Sequence, residues 1–269
     1  MSDAEDLIPA SDLPTRFAIS VLMVAVAVAA VWLGGWPFRL LAAAAAALML
    51  VEWADMHRVP RLWAWIGAGL LAANLLAAAE YFYPVAAEEA ELTIASFAPP
   101  VGLALVLGLA SRRPVMAWGY AYVALPAFAL VVIGWIDMVL VLWVLVVTWA
   151  TDIVAYFAGR AIGGPKLAPR ISPNKTWAGL AGGIAGAAAF GWLVAFWFEI
   201  GAPFTWLGAA MGLIAQGGDL YESWEKRRAG VKDSGTLLPG HGGVLDRLDG
   251  LLAVSAATMV LLLTDVWTG

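Results

Sequence analysis

Long runs of apolar residues recur along almost the whole of this chain, parted by short polar connections. A helix needs about 20 mainly apolar residues to cross the hydrocarbon of a bilayer, with a usual range of about 17–25. Nine runs meet that requirement: Thr15–Leu33, Trp36–Ala54, Leu62–Tyr81, Thr93–Ala110, Val115–Gly134, Ile136–Phe157, Trp177–Ile200, Thr205–Tyr221 and Leu248–Trp267. The fourth is interrupted by Pro99 and Pro100, and the eighth carries Gln216, Gly217, Gly218 and Asp219 in its second half. With 62% hydrophobic and 13% charged residues, against about 45–50% and 25% in an ordinary soluble domain, the expected fold is all-α: a polytopic helical bundle in a membrane.

Basic residues in short loops stay on the cytoplasmic side. Here they fall in every second connection. His57, Arg58 and Arg61 follow the second run, Arg112 and Arg113 the fourth, and Arg160, Lys166, Arg170 and Lys175 the sixth; a larger basic block follows the eighth. The loops between are acidic or neutral, with Glu80, Glu88, Glu89 and Glu91, then Asp137, then Glu199; only Arg39 departs from the pattern. Nine alternating crossings with a cytoplasmic N-terminus produce this alternation. Residues 1–14, with Asp3, Glu5, Asp6 and Asp12, lack the basic start of a secretory signal and read as a retained acidic tail. Absence of cysteine excludes disulfides, thiol nucleophiles and Cys-ligated metal.

The part from 15 to 134 reads as scaffold. Ala42–Ala47 is an alanine run, and Gly67 and Gly69, like Gly179, Gly182, Gly183 and Gly186 later on, are small residues that let helices approach. Trp32, Trp36, Trp63, Trp206 and Trp267 lie near run ends, where tryptophan anchors at the interface. No linker, tandem repeat or soluble domain interrupts the chain.

The part from 135 to 269 carries the chemistry. Between Gln216 and Gly250, charges of both signs are packed between apolar runs: Asp219, Glu222, Glu225, Asp233, Asp246 and Asp249 against Lys226, Arg227, Arg228, Lys232 and Arg247. Membrane orientation calls for cations but not for interleaved carboxylates. On a helix, Asp219, Glu222 and Ser223 share a face, as do Asp246 and Asp249. Gly240-His-Gly-Gly243 is a loop whose backbone can approach a ligand closely. Paired carboxylates, glycine-rich backbone and nearby cations suit Mg²⁺ with phosphates, since Mg²⁺ is commonly held by one or two carboxylates together with substrate phosphate.

Two features lie upstream. Asp152, near the inner end of the sixth run, is either a helix-packing or snorkelling carboxylate or a functional one facing the bundle. In the next loop, Pro169 and Pro173 frame Ser172, Asn174, Lys175 and Thr176 directly before a helix. A helix N-terminus favours anions, so this is a candidate phosphate site. The plainer reading, a basic loop that only sets orientation, explains Lys175 but not the hydroxyl and amide residues.

Ser223-Trp-Glu-Lys-Arg227, Lys232-Asp-Ser-Gly235 and Leu238-Pro-Gly-His-Gly-Gly-Val-Leu-Asp-Arg-Leu-Asp249, with Ile171-Ser-Pro-Asn-Lys-Thr176 and Gly218-Asp219 upstream, closely resemble the signature of the phosphatidate cytidylyltransferase (CDP-diacylglycerol synthase) family. The match covers Asp152 to Gly250. It departs at Glu225, where the family usually has an apolar residue, and at Ala178, where glutamate is common.

The resemblance implies a nine-span bacterial inner-membrane enzyme, often a homodimer, that converts CTP and phosphatidate to CDP-diacylglycerol and pyrophosphate with Mg²⁺ at a cytoplasmic face, with no nucleic-acid partner. On that reading Asp219 and Asp246 lead the metal ligands, joined by Asp249 and Asp152. Ser172, Asn174, Lys175, Thr176, Lys226, Arg227, Lys232 and Arg247 hold phosphate; Ser223, Gly242 and Gly243 belong to the substrate site, and His241 either binds phosphate or stabilises its loop. Two rivals use the same residues. Asp246-Arg-Leu-Asp249-Gly250 resembles the opening of the CDP-alcohol phosphotransferase motif, without its downstream arginine and aspartates. A transporter or binding protein for an anionic solute would also use the charges, but would spread them across spans near mid-membrane rather than at one face.

Overall fold

The computed structural model describes residues 12–87, 94–237 and 242–264, with the side chains of 12–17 and 79–87 excepted. Within them ten α-helices follow one another: α1 Asp12–Leu33, α2 Gly35–Met56, α3 Arg61–Ala87, α4 Ala98–Ser111, α5 Pro114–Ile136, α6 Met138–Ile162, α7 Trp177–Phe198, α8 Ala202–Trp206, α9 Gly208–Ala229 and α10 Leu245–Leu263. All nine apolar runs have a helical counterpart, and the short α8 is added before α9. Six helical stretches are long and apolar enough to cross a membrane, namely 35–56, 61–78, 94–111, 114–136, 138–162 and 177–198. The apolar part of α1, Ala18–Leu33, is shorter. The charged residues of α9 and of the α10 N-terminus dilute their apolar character. The protein is thus an all-α integral membrane protein. The acidic loop residues Glu88, Glu89 and Glu91, as well as His241 and Trp267, lie outside the described residues.

Two local expectations are corrected. Pro99 and Pro100 do not interrupt the fourth helix. A 3₁₀ turn at Ile94–Phe97 leads into it, and the prolines occupy the first turn of α4, where a residue without an N–H leaves no intrahelical bond unmade. The proline-framed loop before α7 is a β-hairpin, with β1 Lys166–Ala168 paired antiparallel to β2 Ser172–Thr176. Thr176 then caps α7, its hydroxyl accepting from Gly179 N at 3.0 Å.

α5 is the central post, touching α2, α3, α4, α6 and α10, and α7 lies along α6. The core is filled by Trp53, Trp143, Tyr120 and Phe128. Trp53 donates to Val115 O at 3.1 Å and Trp143 to Gly191 O at 3.0 Å, which ties α2 to α5 and α6 to α7. Trp32, Trp36 and Trp206 are exposed, as interfacial anchors are.

The expected small-residue crossings are present where α7 meets α6. A Cβ on Gly179 would lie 3.0 Å from Ala155 O, one on Gly183 3.0 Å from Thr151 O, and one on Gly186 2.6 Å from Val154 Cγ2. Gly67 is likewise enclosed, by Met116 and Leu50, whereas Gly69 has nothing within 4 Å and serves no such contact. Gly218, where α9 crosses α10, is the crossing that matters for the site. A Cβ there would stand 2.7 Å from Ala253 Cβ and 2.9 Å from Asp249 O. Gly218→Ala must therefore push α10 from α9, at a cost of about 1–3 kcal/mol for overpacking. A lowered unfolding temperature in detergent, against an unchanged one for Gly217→Ala, which has open space, checks this.

Candidate active site

A cavity of about 660 Å³ opens among α6, the hairpin, α7, α9 and α10. The repeats already visible in the sequence explain its walls. On α9, Gln216, Asp219, Glu222 and Lys226 follow at steps of three or four, which keeps them on one face. On α6, Asp152, Tyr156 and Arg160 follow at steps of four and form the opposite wall. Asp246, Arg247 and Asp249 enter from the start of α10, Asp233 from the segment before it, and Asn174, Lys175 and Thr176 from β2.

Lys226 is the pivot of the floor. Its Nζ lies 2.6 Å from Glu222 Oε2 and 2.6 Å from Asp246 Oδ1, and the three side chains are almost closed to solvent. The Lys226–Glu222 contact lacks hydrogen-bond geometry, and the Glu222 carboxyl also interacts with that of Asp246. Burial pushes the Glu222 carboxyl up to about 8, against the pull of Lys226. For Asp246 burial acts upward too, but the Lys226 hydrogen bond and the Gly243 amide outweigh it and hold the carboxyl below its usual range. Asp246 Oδ2 takes Gly243 N at 2.8 Å, Ser234 N at 2.9 Å and Ser234 Oγ at 3.0 Å. Higher in the cleft, Lys175 Nζ lies 2.5 Å from Asp219 Oδ2 and donates to Gln216 Oε1 at 3.2 Å. Asp152 is open to the cavity and has no hydrogen-bond partner among the described residues, so it makes no helix-packing hydrogen bond there.

Six carboxylates thus face four cations, Arg160, Lys175, Lys226 and Arg247, around one cleft. The carboxyl donors that line it are all oxygen, the set Mg²⁺ prefers. Among the described residues no three His, Asp or Glu side chains converge closely enough to cage a metal by themselves.

The family model described as "Cytidylyltransferase family" matches residues 14–264. The chain belongs to the cytidylyltransferase family. Among its relatives, the phosphatidate cytidylyltransferase of Brucella abortus biovar 1 (strain 9-941) is 39% identical over 258 residues, covering 91% of this chain and 92% of the relative. The Pseudomonas aeruginosa enzyme of the same name is 38% identical over 180 residues, 61% of this chain and 66% of its own length. The Bacillus subtilis (strain 168) enzyme is 46% identical over 112 residues, 40% and 42% of the two chains.

In this cytidylyltransferase, not every residue named from the sequence faces the cavity. Asp152, Asn174, Lys175, Thr176, Asp219, Lys226, Asp246, Arg247 and Asp249 do. Ser172 sits farther along β2, and Lys232 is exposed outside the cavity. Ser223 is buried, its Oγ 3.4 Å from Asp219 Oδ1. Arg227 reaches Ile171 O at 3.3 Å and Val231 O at 3.1 Å, tying the hairpin turn to the end of α9. Gly242 and Gly243 turn toward Asp246: Gly242 has φ of +82°, and a Cβ on it would lie 2.6 Å from Asp246 Oδ2.

Glu225, the departure from the family pattern, is buried but well supplied. Tyr221 OH donates to it at 3.2 Å, His57 Nε2 faces it at 3.4 Å while the ring stacks on Trp53, and Arg228 lies at 3.5 Å. Nothing in the structure bears on Ala178. Sequence reasoning missed Tyr156, Arg160 and Gln216 as cavity residues, although extending the helical spacing from Asp152 and Asp219 would have found all three.

Proposed function

We propose that the chain is a phosphatidate cytidylyltransferase of nine membrane crossings, with its N-terminus and active site on the cytoplasmic side of a bacterial inner membrane. The basic residues in alternate connections support that orientation. The observation that carries the function is the cleft in which Lys226 lies between Glu222 and Asp246 and which Asp152, Asp219 and Asp249 also line. Its surplus of carboxylates next to lysines and arginine suits two phosphate-bearing reactants brought together with a divalent cation.

In the proposed reaction a phosphate oxygen of phosphatidate attacks the α-phosphorus of CTP. The new P–O bond forms as the bond to the β-phosphate oxygen breaks, and pyrophosphate leaves with the electron pair. The attacking oxygen is already anionic, so the protein's task is positioning and charge compensation rather than proton abstraction. Asp219 and Asp246 would hold Mg²⁺, with Asp249 and Asp152 adjoining; when bound, the ion offsets charge on the phosphates. Lys175, Asn174 and Thr176 hold phosphate from the α7 side, and Lys226 and Arg247 from the α10 side. The lipid reaches the cleft from the bilayer. Residues 15–134 serve as scaffold and 135–269 carry the site, with a homodimer as the assembly.

Purified protein given CTP, phosphatidate and Mg²⁺ is expected to release pyrophosphate and CDP-diacylglycerol in equal amounts. EDTA should stop the reaction and excess Mg²⁺ restore it. Uptake of an anionic solute into proteoliposomes with no consumption of CTP would overturn the reading.

A further inference from the structure

Glu52 lies on α2, in the part of the chain that supplies no cavity wall, and is 8% exposed. A buried carboxylate without partners costs several kcal/mol. Among the described residues no lysine, arginine or histidine pairs with it. Its partners are instead the backbone at the start of α10. Val244 N donates to Oε1 at 2.8 Å and Leu245 N to Oε2 at 2.8 Å, while Ser234 Oγ donates to Oε2 at 3.2 Å. α10 has no side-chain cap of its own, since its N-cap residue is Val244. The unpaired N–H groups and partial positive charge of a helix N-terminus favour an anion. Glu52 supplies that anion from 192 residues away.

The same contacts lead to the reaction centre. The Ser234 hydroxyl is also 3.0 Å from Asp246 Oδ2, so its single proton is shared between the two carboxylates. Glycines close the space on both sides: a Cβ on Gly235 would lie 2.8 Å from Glu52 Oε1, and one on Gly243 2.5 Å from Glu52 Oε2. We propose that Glu52 is the positioning residue for Asp246, holding the first turn of α10 and Ser234 so that Asp246 Oδ1 meets Lys226 in the cleft. The role in turnover rests on the function proposed above. The cap itself does not.

The experiment compares the wild type with Glu52→Gln and Ser234→Ala in detergent, in three measurements. Hydrogen exchange at the Val244 and Leu245 amides, without nucleotide or metal, is expected to quicken in Glu52→Gln, whose side-chain amide meets a backbone N–H with a donor. Turnover per folded molecule is expected to fall about 100-fold, the effect of misplacing a reacting group by about 1 Å, with a raised Mg²⁺ requirement and a nearly unchanged KM for phosphatidate. Ser234→Ala is expected to lose less, and the double variant no more than Glu52→Gln alone, because both act through one contact. A purely structural Glu52 would lower the yield of folded protein but leave kcat and the Mg²⁺ requirement of the folded fraction at wild-type values; that result overturns the proposal. Should Glu52→Gln not accumulate, wild-type kcat and Mg²⁺ requirement in Ser234→Ala overturn it equally. A wild type that makes no CDP-diacylglycerol while its amides are protected by Glu52 would instead reject the enzymatic reading and leave the cap standing.

Discussion

Asp246→Asn is expected to lower CDP-diacylglycerol formation by about 10³-fold, the upper range for losing one preorganised electrostatic group, with the protein still accumulating in the membrane. Asparagine keeps the shape and one carbonyl oxygen, which can accept from Gly243 N and Ser234 N in place of Oδ2. It loses the charge that meets Lys226 at 2.6 Å and that would hold a cation against substrate phosphate. Incorporation of radiolabelled CTP into lipid measures the effect. Turnover within tenfold of wild type would remove Asp246 from the proposed metal ligands.

Lys226→Met is expected to act on both stability and activity. The lysine is the only cation within 4.0 Å of Glu222 or Asp246 among the described residues. Without it the Asp246 carboxylate loses its buried counter-charge, and the Glu222 carboxyl beside it is left in a nearly closed space. Breaking a buried charge pair by removing one partner costs about 3–5 kcal/mol, and the loss of the ammonium proposed to hold phosphate adds a fall in turnover of about 10²–10³-fold. The double change of Lys226→Met with Glu222→Gln should recover much of the stability and little of the activity. Thermal unfolding and CTP incorporation, measured on the same preparations, separate the two effects. If the double variant is no more stable than the single one, the pairing does not carry that energy.

Much of the cavity lining could be read in advance because it lies on helices whose spacing is visible. Asp219, Glu222 and Lys226 fall on one face of α9 for the same reason that Asp152, Tyr156 and Arg160 do on α6. The helices themselves were legible from apolar run length, and each expected run has its counterpart. The hairpin was not, because two short strands carrying Pro173 give no alternating pattern; it exists through pairing of Lys166 with Thr176 and Ala168 with Ser172. Glu225 looked like a misfit in its motif. Its support comes from His57, which the sequence had marked only as part of a basic loop, 168 residues away.

The order of apolar and charged residues by itself determined that this chain is a helical membrane protein with carboxylates and cations gathered near its C-terminal helices. Hydropathy and helical periodicity are properties of near neighbours, so they survive without knowledge of the fold. Only the tertiary structure decided that Lys226 is shared between two carboxylates, that the glycine-rich turn closes on Asp246, and that Glu52 of α2 caps α10. Those contacts join segments from different helices. A buried charge is stabilised by whichever donors the packing brings to it, and a linear pattern cannot reveal which those are.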